Sequence, residues 1–228
     1  DGSMLAGTCG GKILRSTDQG TSFTVINDGM NAAFIWSLVQ TANGNLFAAT
    51  ERGVFISTNN GASWSSTALP QYDVRALSVS GNFIYAGLWG QGVYRTSDNG
   101  ATWTDASNGM VIKAVQALLS DNSGNIYAGT FGGGIYKTVD GGANWTSTAM
   151  NYPHVWSLGR TSTGVIVAGT YGNGLYLSAN GGTSWQPQTS GLNATHIYSV
   201  SVDNNDNVFV SSWNNGVYFA RIISSDAP

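Results

Sequence analysis

Short apolar runs punctuate the chain, each broken after a few residues by Gly, Asn, Asp or Ser, with breaks every ~8–12 residues. Three kinds of run can be told apart by their neighbours. The first, strand A, reads Ile35-Trp36-Ser37-Leu38, Val74-Arg75-Ala76-Leu77, Val115-Gln116-Ala117-Leu118, Val155-Trp156-Ser157-Leu158 and Ile197-Tyr198-Ser199-Val200. The second, strand B, follows a Gly/Asn turn, as in Leu46-Phe47-Ala48-Ala49-Thr50, Ile84-Tyr85-Ala86-Gly87, Ile126-Tyr127-Ala128-Gly129-Thr130 and Val208-Phe209-Val210, with Met4-Leu5-Ala6-Gly7 as the first copy. The third, strand C, is Gly53-Val54-Phe55 and its counterparts Gly92-Val93-Tyr94, Gly134-Ile135-Tyr136, Gly174-Leu175-Tyr176 and Gly216-Val217-Tyr218, with Lys12-Ile13-Leu14 a weaker first copy. β-Branched and aromatic runs of this length predict strands throughout, so the chain is all-β. The pattern alone suits a sandwich or a barrel as well.

An octet that follows strand C narrows the choice. It reads Ser16-Thr17-Asp18-Gln19-Gly20-Thr21-Ser22-Phe23, then recurs at residues 57–64, 96–103, 138–145 and 178–185. Its glycines, Gly20, Gly61, Gly100, Gly142 and Gly182, are 41, 39, 42 and 40 residues apart, the period of one four-stranded propeller blade. Asp or Asn followed two residues later by Gly supplies a side-chain acceptor for turn amides and a residue that tolerates positive φ, so each octet predicts a hairpin turn. The closing aromatic (Phe23, Trp64, Trp103, Trp145 or Trp185) begins a short outer strand D and is expected to seal one blade against its neighbour. The octet resembles the Asp-box, or BNR repeat, of the sialidase-like propellers, whose pattern is Ser/Thr-x-Asp-x-Gly-x-Ser/Thr-Trp. Asn59 and Asn180 stand in place of Asp in the second and fifth copies, and Phe23 in place of Trp in the first. The resemblance implies a propeller and leaves function open, because such propellers include hydrolases, lectins, assembly factors and receptor ectodomains.

The 228 residues are read as a single β-propeller domain with repeats at about 1–31, 32–70, 71–110, 111–151, 152–192 and 193–223. Six B–C hairpins are countable, but five A strands and five octet-plus-D units. The expected architecture is therefore six blades of four antiparallel strands with incomplete terminal blades; five blades, one of them composite, is the alternative. Terminal strands with unpaired edges also offer a route to a homo-oligomer.

Composition bounds the partners. Nine Lys+Arg against twelve Asp+Glu give a net charge of −3, with no run of like charge, which argues against nucleic acid and anionic membrane surfaces. No apolar run approaches the ~20 residues that span a bilayer, so membrane insertion is not expected. The one cysteine, Cys9, cannot form an intramolecular disulfide and leaves the redox compartment open. Abundant uncharged Ser, Thr, Asn and Gly point to a secreted or periplasmic protein.

Function is sought on the connections, since blades supply scaffold. The D–A connections and B–C turns should lie on one face and converge at the channel mouth. In order, the B–C turns carry Cys9, Glu51, Trp89, Phe131, Tyr171 and Trp213, while the D–A side offers Trp36, Tyr72, Asp73, Arg75, Lys113, Gln116, His154, Trp156, His196 and Tyr198. Flat apolar rings beside directional donors suit a sugar face or an extended peptide. The candidate ligand-binding residues are Trp89, Phe131, Tyr171, Trp213, Glu51, Arg75, His154 and His196, and the expected function is a non-catalytic, lectin-like module that binds a glycan or protein segment. Trp36, Trp156 and Tyr198, inside strand A, are expected to be buried. A structural or assembly propeller acting through subunit contacts is the alternative reading.

Catalysis is less well supported. Glycoside hydrolysis needs two carboxylates about 5–10 Å apart. The chain has one glutamate, Glu51, and the octet aspartates Asp18, Asp98 and Asp140 belong to turns on the opposite face. Glu51 and Asp73 would be the pair to test. A sialidase would also need an arginine triad, and the six arginines are dispersed. His154 and His196 hold equivalent places but lack a third ligand at metal spacing. Residues 203–207 lack the Gly and Glu of a calcium loop. No catalytic residue, metal or cofactor is assigned.

Overall fold

The computed structural model describes residues 2–150, 152–188, 191–213 and 215–221; Ile222 and Ile223, at the end of the last expected repeat, lie outside the described residues. The fold is a six-bladed β-propeller with all 22 strands in six antiparallel sheets and no helix among the described residues. Blade 1 holds β1 (Met4–Gly7), β2 (Ile13–Ser16) and β3 (Thr24–Val25), and blade 2 holds β4 (Ile35–Gln40), β5 (Leu46–Thr50), β6 (Gly53–Ser57) and β7 (Ser65–Ser66). Blade 3 follows with β8 (Val74–Ser80), β9 (Phe83–Leu88), β10 (Gly92–Thr96) and β11 (Thr104–Asp105). Blade 4 comprises β12 (Val115–Ser120), β13 (Ile126–Thr130), β14 (Ile135–Thr138) and β15 (Thr146–Ser147). Blade 5 comprises β16 (Val155–Arg160), β17 (Ile166–Thr170), β18 (Leu175–Ser178) and β19 (Gln186–Gln188), and blade 6 β20 (Ile197–Val202), β21 (Asn207–Ser212) and β22 (Gly216–Arg221). Every sheet is a meander in chain order. The terminal sheets contain strands B-C-D and A-B-C, as the hairpin count predicts, and the five-bladed alternative is set aside.

The blades group into two compact units, one of Asp1–Trp89 with Val93–Asp105, the other of Gly90–Gly92 with Ala106–Pro228. In the first, β4 packs against β1 and β8; in the second, β16 packs against β12 and β20. Phe47, Val54, Val74, Leu77 and Leu88 form the apolar cluster between blades 2 and 3, and Tyr127, Ile135, Val155 and Ile166 form that between blades 4 and 5. Burying each such side chain contributes about 1.5–3 kcal/mol. Within each unit, apolar contact between sheet faces, rather than shared backbone ladders, thus holds successive blades together.

The octets fold as their turn chemistry requires. Ser16 Oγ donates to Asp18 Oδ1 at 2.7 Å, the Gly20 amide donates to Ser16 Oγ at 2.8 Å, and the Ser22 amide and hydroxyl donate to the Asp18 carboxylate at 2.9 and 2.6 Å. Asp98 and Asp140 repeat the arrangement. Side-chain donors, led by Ser22, Thr102 and Asn144, hold the carboxyls of Asp18, Asp98 and Asp140 down at about 2, because each donor favours the ionised form. Asn59 and Asn180 keep the geometry without the charge, their Nδ2 donating to Ser63 and Ser184 Oγ at 2.8 Å.

The closing aromatics alternate in a way that blade-by-blade reading misses. Trp64 Nε1 donates to the Ile26 carbonyl and Trp145 Nε1 to the Ala106 carbonyl, both at 2.6 Å, and both indoles are buried. Trp103 and Trp185 have a buried Nε1 with no partner, and Phe23 is 45% exposed, so it does not make the expected seal. The alternation follows the preceding connection. Asn27-Asp28-Gly29-Met30 and Ser107-Asn108-Gly109-Met110 precede blades 2 and 4, whereas Thr67-Ala68-Leu69-Pro70 and Thr148-Ala149-Met150 precede blades 3 and 5. The amides of Trp64 and Trp145 donate to the Asp28 and Asn108 carbonyls at 2.8 Å, while Ala68 and Ala149 donate instead to the octet carbonyls of Gly100 and Gly182 at 2.8 and 3.3 Å. Gly109 has φ +88°, and a β-carbon there would fall 2.3 Å from the Trp145 carbonyl oxygen. A side chain is therefore excluded both by the left-handed backbone and by the close approach. The structural period is two blades.

Candidate ligand-binding surface

Each of the five A strands carries a register shift around its second residue: between Ile35 and Ser37, Val74 and Ala76, Val115 and Ala117, Val155 and Ser157, and Ile197 and Ser199. The extra residues are Trp36, Arg75, Gln116, Trp156 and Tyr198. A bulged residue leaves the ladder and its side chain is re-aimed. Trp36 and Tyr198 are accordingly 39% and 38% exposed, and Trp156 is half-buried. The burial expected for these three rings is corrected by the bulge. A signal existed in the sequence: Ile35 and Leu38, like Val155 and Leu158, are apolar residues three apart, out of step with the period of two that an unbroken strand demands.

A recurrent set of backbone bonds then places the B–C turn residue. The amides of Trp89, Phe131, Tyr171 and Trp213 donate to the carbonyls of Asp73, Ala114, His154 and His196 at 2.8, 2.8, 3.0 and 3.1 Å. Three residues after the turn aromatic, Gly92, Gly134 and Gly174 donate to Lys113, Pro153 and Thr195 at 2.9, 2.9 and 2.8 Å, which ties the turn to the connection that follows its blade. Turn residue, connection and bulge are held close by main-chain geometry, whatever side chains they carry.

In the first unit this geometry assembles Phe34, Trp36, Arg75 and Trp89. The Arg75 guanidinium lies 4.2 Å from the centroid of Trp36 and 5.5 Å from that of Trp89. Asp73 Oδ2 accepts from Arg75 Nε at 3.0 Å and from Nη2 at 2.6 Å, fixing the plane of the fork. Phe34 stacks on Trp36 with centroids 5.0 Å apart and an interplanar angle of 4°. Glu51 belongs to the support of this cluster. Its Oε1 accepts from the Ala33 amide at 2.7 Å and its Oε2 from the Phe34 amide at 2.9 Å, so it anchors the connection that bears Phe34. Burial raises the Glu51 pKa, and the two amides with the Arg52 charge outweigh it, leaving the carboxyl below its ordinary value.

In the second unit, rings touch in sequence. Tyr171 stacks on Trp156 (4.9 Å, 19°), Trp156 meets the edge of Tyr198 (4.6 Å, 89°), and Tyr198 tilts against Trp213 (5.1 Å, 35°). His196 stands edge-on to Tyr171 at 4.5 Å, its Nδ1 3.0 Å from the Thr195 hydroxyl. Trp213, 53% exposed, is the most open of these rings. Burial, with a smaller contribution from Tyr171, pushes the Tyr198 hydroxyl pKa up, so it stays a neutral donor at physiological pH. Nearby in the chain, His154 lies 4.2 Å from Phe131 and 6.0 Å from Tyr152, and its buried Nδ1 has no partner. Tyr152 donates to the Tyr171 carbonyl at 2.7 Å.

Of the candidate residues, Arg75 and Trp89 are thus brought together; so are Phe131 with His154, and Tyr171 with His196, with Trp213 joined through Tyr198. The sequence reading missed Phe34 and Tyr152 and misplaced the three bulge rings. Neither carboxylate of the pair singled out for hydrolysis is free: Glu51 is held by two amides and Asp73 by Arg75. Among the described residues no three His, Cys, Asp or Glu side chains cluster as a metal would need.

No family model matches the chain, and no curated protein does. Solved structures do share its fold. The GH74 xyloglucanase from Xanthomonas campestris is 19% identical with a TM-score of 0.74, over 96% of this chain and 42% of that one. YCF48 bound to the D1 peptide is 17% identical with a TM-score of 0.73, over 95% of this chain and 74% of that one. The extracellular domain of a hybrid two-component system from B. thetaiotaomicron is 15% identical with a TM-score of 0.80, over 95% of this chain and 31% of that one. The chain spans 37% of the length of an ancestral GH74 enzyme that it also matches. At these identities the likeness defines the class as a β-propeller, a fold shared by enzymes and by propellers of other kinds.

Proposed function

We propose that the chain is a non-catalytic, extracytoplasmic binding module of the Asp-box propeller group, and that it holds a glycan against its bulge and turn aromatics. The observation that carries the reading is the repeated bulge, which turns Trp36 and Tyr198 outward and sets them beside the exposed turn rings Trp89, Tyr171 and Trp213. Solvent-facing rings are costly to keep without use, and the C–H face of a sugar covers an indole or phenol without needing charge. Arg75, fixed by Asp73, adds directional donors in the first unit; the Tyr198 hydroxyl and the His196 ring add them in the second. The engagement of Glu51 and Asp73 elsewhere supports binding over hydrolysis.

The YCF48 complex with a D1 peptide motivates a second reading, a protein segment on the same rings. Parallel glycan and peptide arrays probed with wild type, Trp89→Ala and Trp213→Ala separate the two. Glycan signals that fall at least tenfold in either variant are expected. Peptide signals with the same loss would favour the second reading, and array binding unchanged in both variants would refute the use of these rings.

A further inference from the structure

Blade 3 departs from its neighbours at the opposite end of its strands. Between strands A and B, blades 2, 4 and 5 have five-residue turns (41–45, 121–125 and 161–165), whereas blade 3 has the two residues Gly81-Asn82, with Ser80 paired directly to Phe83. Gly81 takes φ +57° at the first central position, as the tight hairpin that matches strand twist requires. The same shortening appears in the sequence as the 39-residue spacing between Gly61 and Gly100. Beside the shortened hairpin there is a cavity of about 290 Å³. The blade 2 turn, the blade 3 hairpin and the blade 3 octet line it as a solvent-open cleft, all within the first unit.

Its lining has one chemical character. Asn43, Asn82, Asn99 and Ser97 supply amides and a hydroxyl, Phe83 supplies an aromatic wall, and no lining residue is charged. The Asn82 amide and the Ser97 hydroxyl make no bond to protein among the described residues, so both are available to a ligand. Asn99 is fixed by its Oδ1 accepting from Asn45 Nδ2 at 3.4 Å, and the Arg95 guanidinium, 4.9 Å from the Phe83 centroid, steadies the ring. None of the side chains lining the space carries a charge to pair with an ionic ligand, and a purely apolar one would leave the Asn and Ser groups unused. A neutral polyol with one C–H face meets both demands. The volume lies at the small end of ligand pockets, which begin at about 300 Å³, so a single ring fits and an oligosaccharide does not.

We propose that this cavity binds one neutral pyranose unit, a site separate from the turn aromatics and independent of their use. The test is amide chemical-shift titration of the isotope-labelled protein with glucose, galactose, mannose, xylose and N-acetylglucosamine in turn, with glucuronate and glucosamine as charged controls. At least one neutral sugar is expected to give saturable shifts at residues 41–43, 81–83 and 97–99, at least tenfold weaker for the charged controls. Ala42→Phe, which places a ring in the space from an exposed turn, should abolish these shifts, and Trp213→Ala should leave them unchanged. If Ala42→Phe does not fold, Asn82→Ala serves in its place with an expected loss of at least fivefold. No saturable shift for any neutral sugar up to about 50 mM, well above the millimolar range of weak ligands, would overturn the site. So would shifts confined to the amides of 131, 171 and 213, or shifts that persist with the cavity filled.

Discussion

Trp145 and Trp185 occupy the same octet position in successive blades, yet the indole N–H of one is bonded and that of the other is not. Changing each to Phe removes the same atoms, from a buried ring at Trp145 and a half-buried one at Trp185, so any difference in packing loss acts in the same direction as the hydrogen bond. At Trp145 the change deletes a bond of net value about 0.5–1.5 kcal/mol and leaves the carbonyl of the buried Ala106 without its donor, a further cost of about 1–3 kcal/mol. At Trp185 it removes a buried N–H that had no partner, a relief of about 1 kcal/mol or more. Trp145→Phe is therefore expected to be the more destabilising by about 2.5 kcal/mol or more. In urea, with a slope of about 1–3 kcal/mol/M, the two midpoints should differ by about 1 M, and the melting temperatures by about 5 °C for a chain of this size. Equal midpoints, or a less stable Trp185→Phe, would refute the assignment of the two-blade alternation to the indole bonds.

Other outcomes follow from the same geometry. Gly109→Ala, which combines left-handed strain of about 1–2 kcal/mol with a clash on the Trp145 carbonyl, should unfold at markedly lower urea than Gly44→Ala, where φ is +87° but nothing lies within 4 Å of the added carbon. Hydrogen bonds from Thr102 and Thr96 hold the folded-state pKa of Asp98 down at about 2, below the ordinary aspartate value, so its stabilisation is complete above the unfolded value and is lost as pH falls from about 4 to about 2. Asp98→Asn, matching Asn59 and Asn180, should flatten the acid-unfolding curve in that window when followed by tryptophan fluorescence. Arg75→Met keeps the apolar stem but removes the cation from between Trp36 and Trp89; a loss of about 1–2 kcal/mol by urea unfolding is expected, with part of it vanishing from wild type at 1 M salt.

Much of the fold is legible in the residues because turns write it locally. The five octets and the Gly-led C strands announce their own backbone, so strand count, blade count and the B-C-D and A-B-C termini could be read directly. The candidate site was less legible for three physical reasons. A bulge shifts register by one residue without changing composition, so Trp36 and Tyr198 read as core although they face water. Glu51 looks like free turn chemistry, but its carboxylate is taken by the amides of Ala33 and Phe34, donors that every sequence has and none displays. The two-blade alternation depends on whether the preceding connection carries Gly29 or Gly109, or the Thr67 and Thr148 type, and a search tuned to one blade averages the two. The two-residue hairpin at Gly81 was visible as a short interval, but the open cleft beside it is shaped by neighbouring turns and not by the missing residues.

The bulge in strand A has an evolutionary reading. Five equivalent positions hold Trp, Arg, Gln, Trp and Tyr, a spread that no core position of the repeat tolerates. Because these residues stand outside the pairing ladder, each can be rewritten without disturbing the strand bonds on either side of it. The scaffold thus behaves like a typeface with interchangeable letters, in which specificity drifts one character at a time while the page that carries the text stays the same.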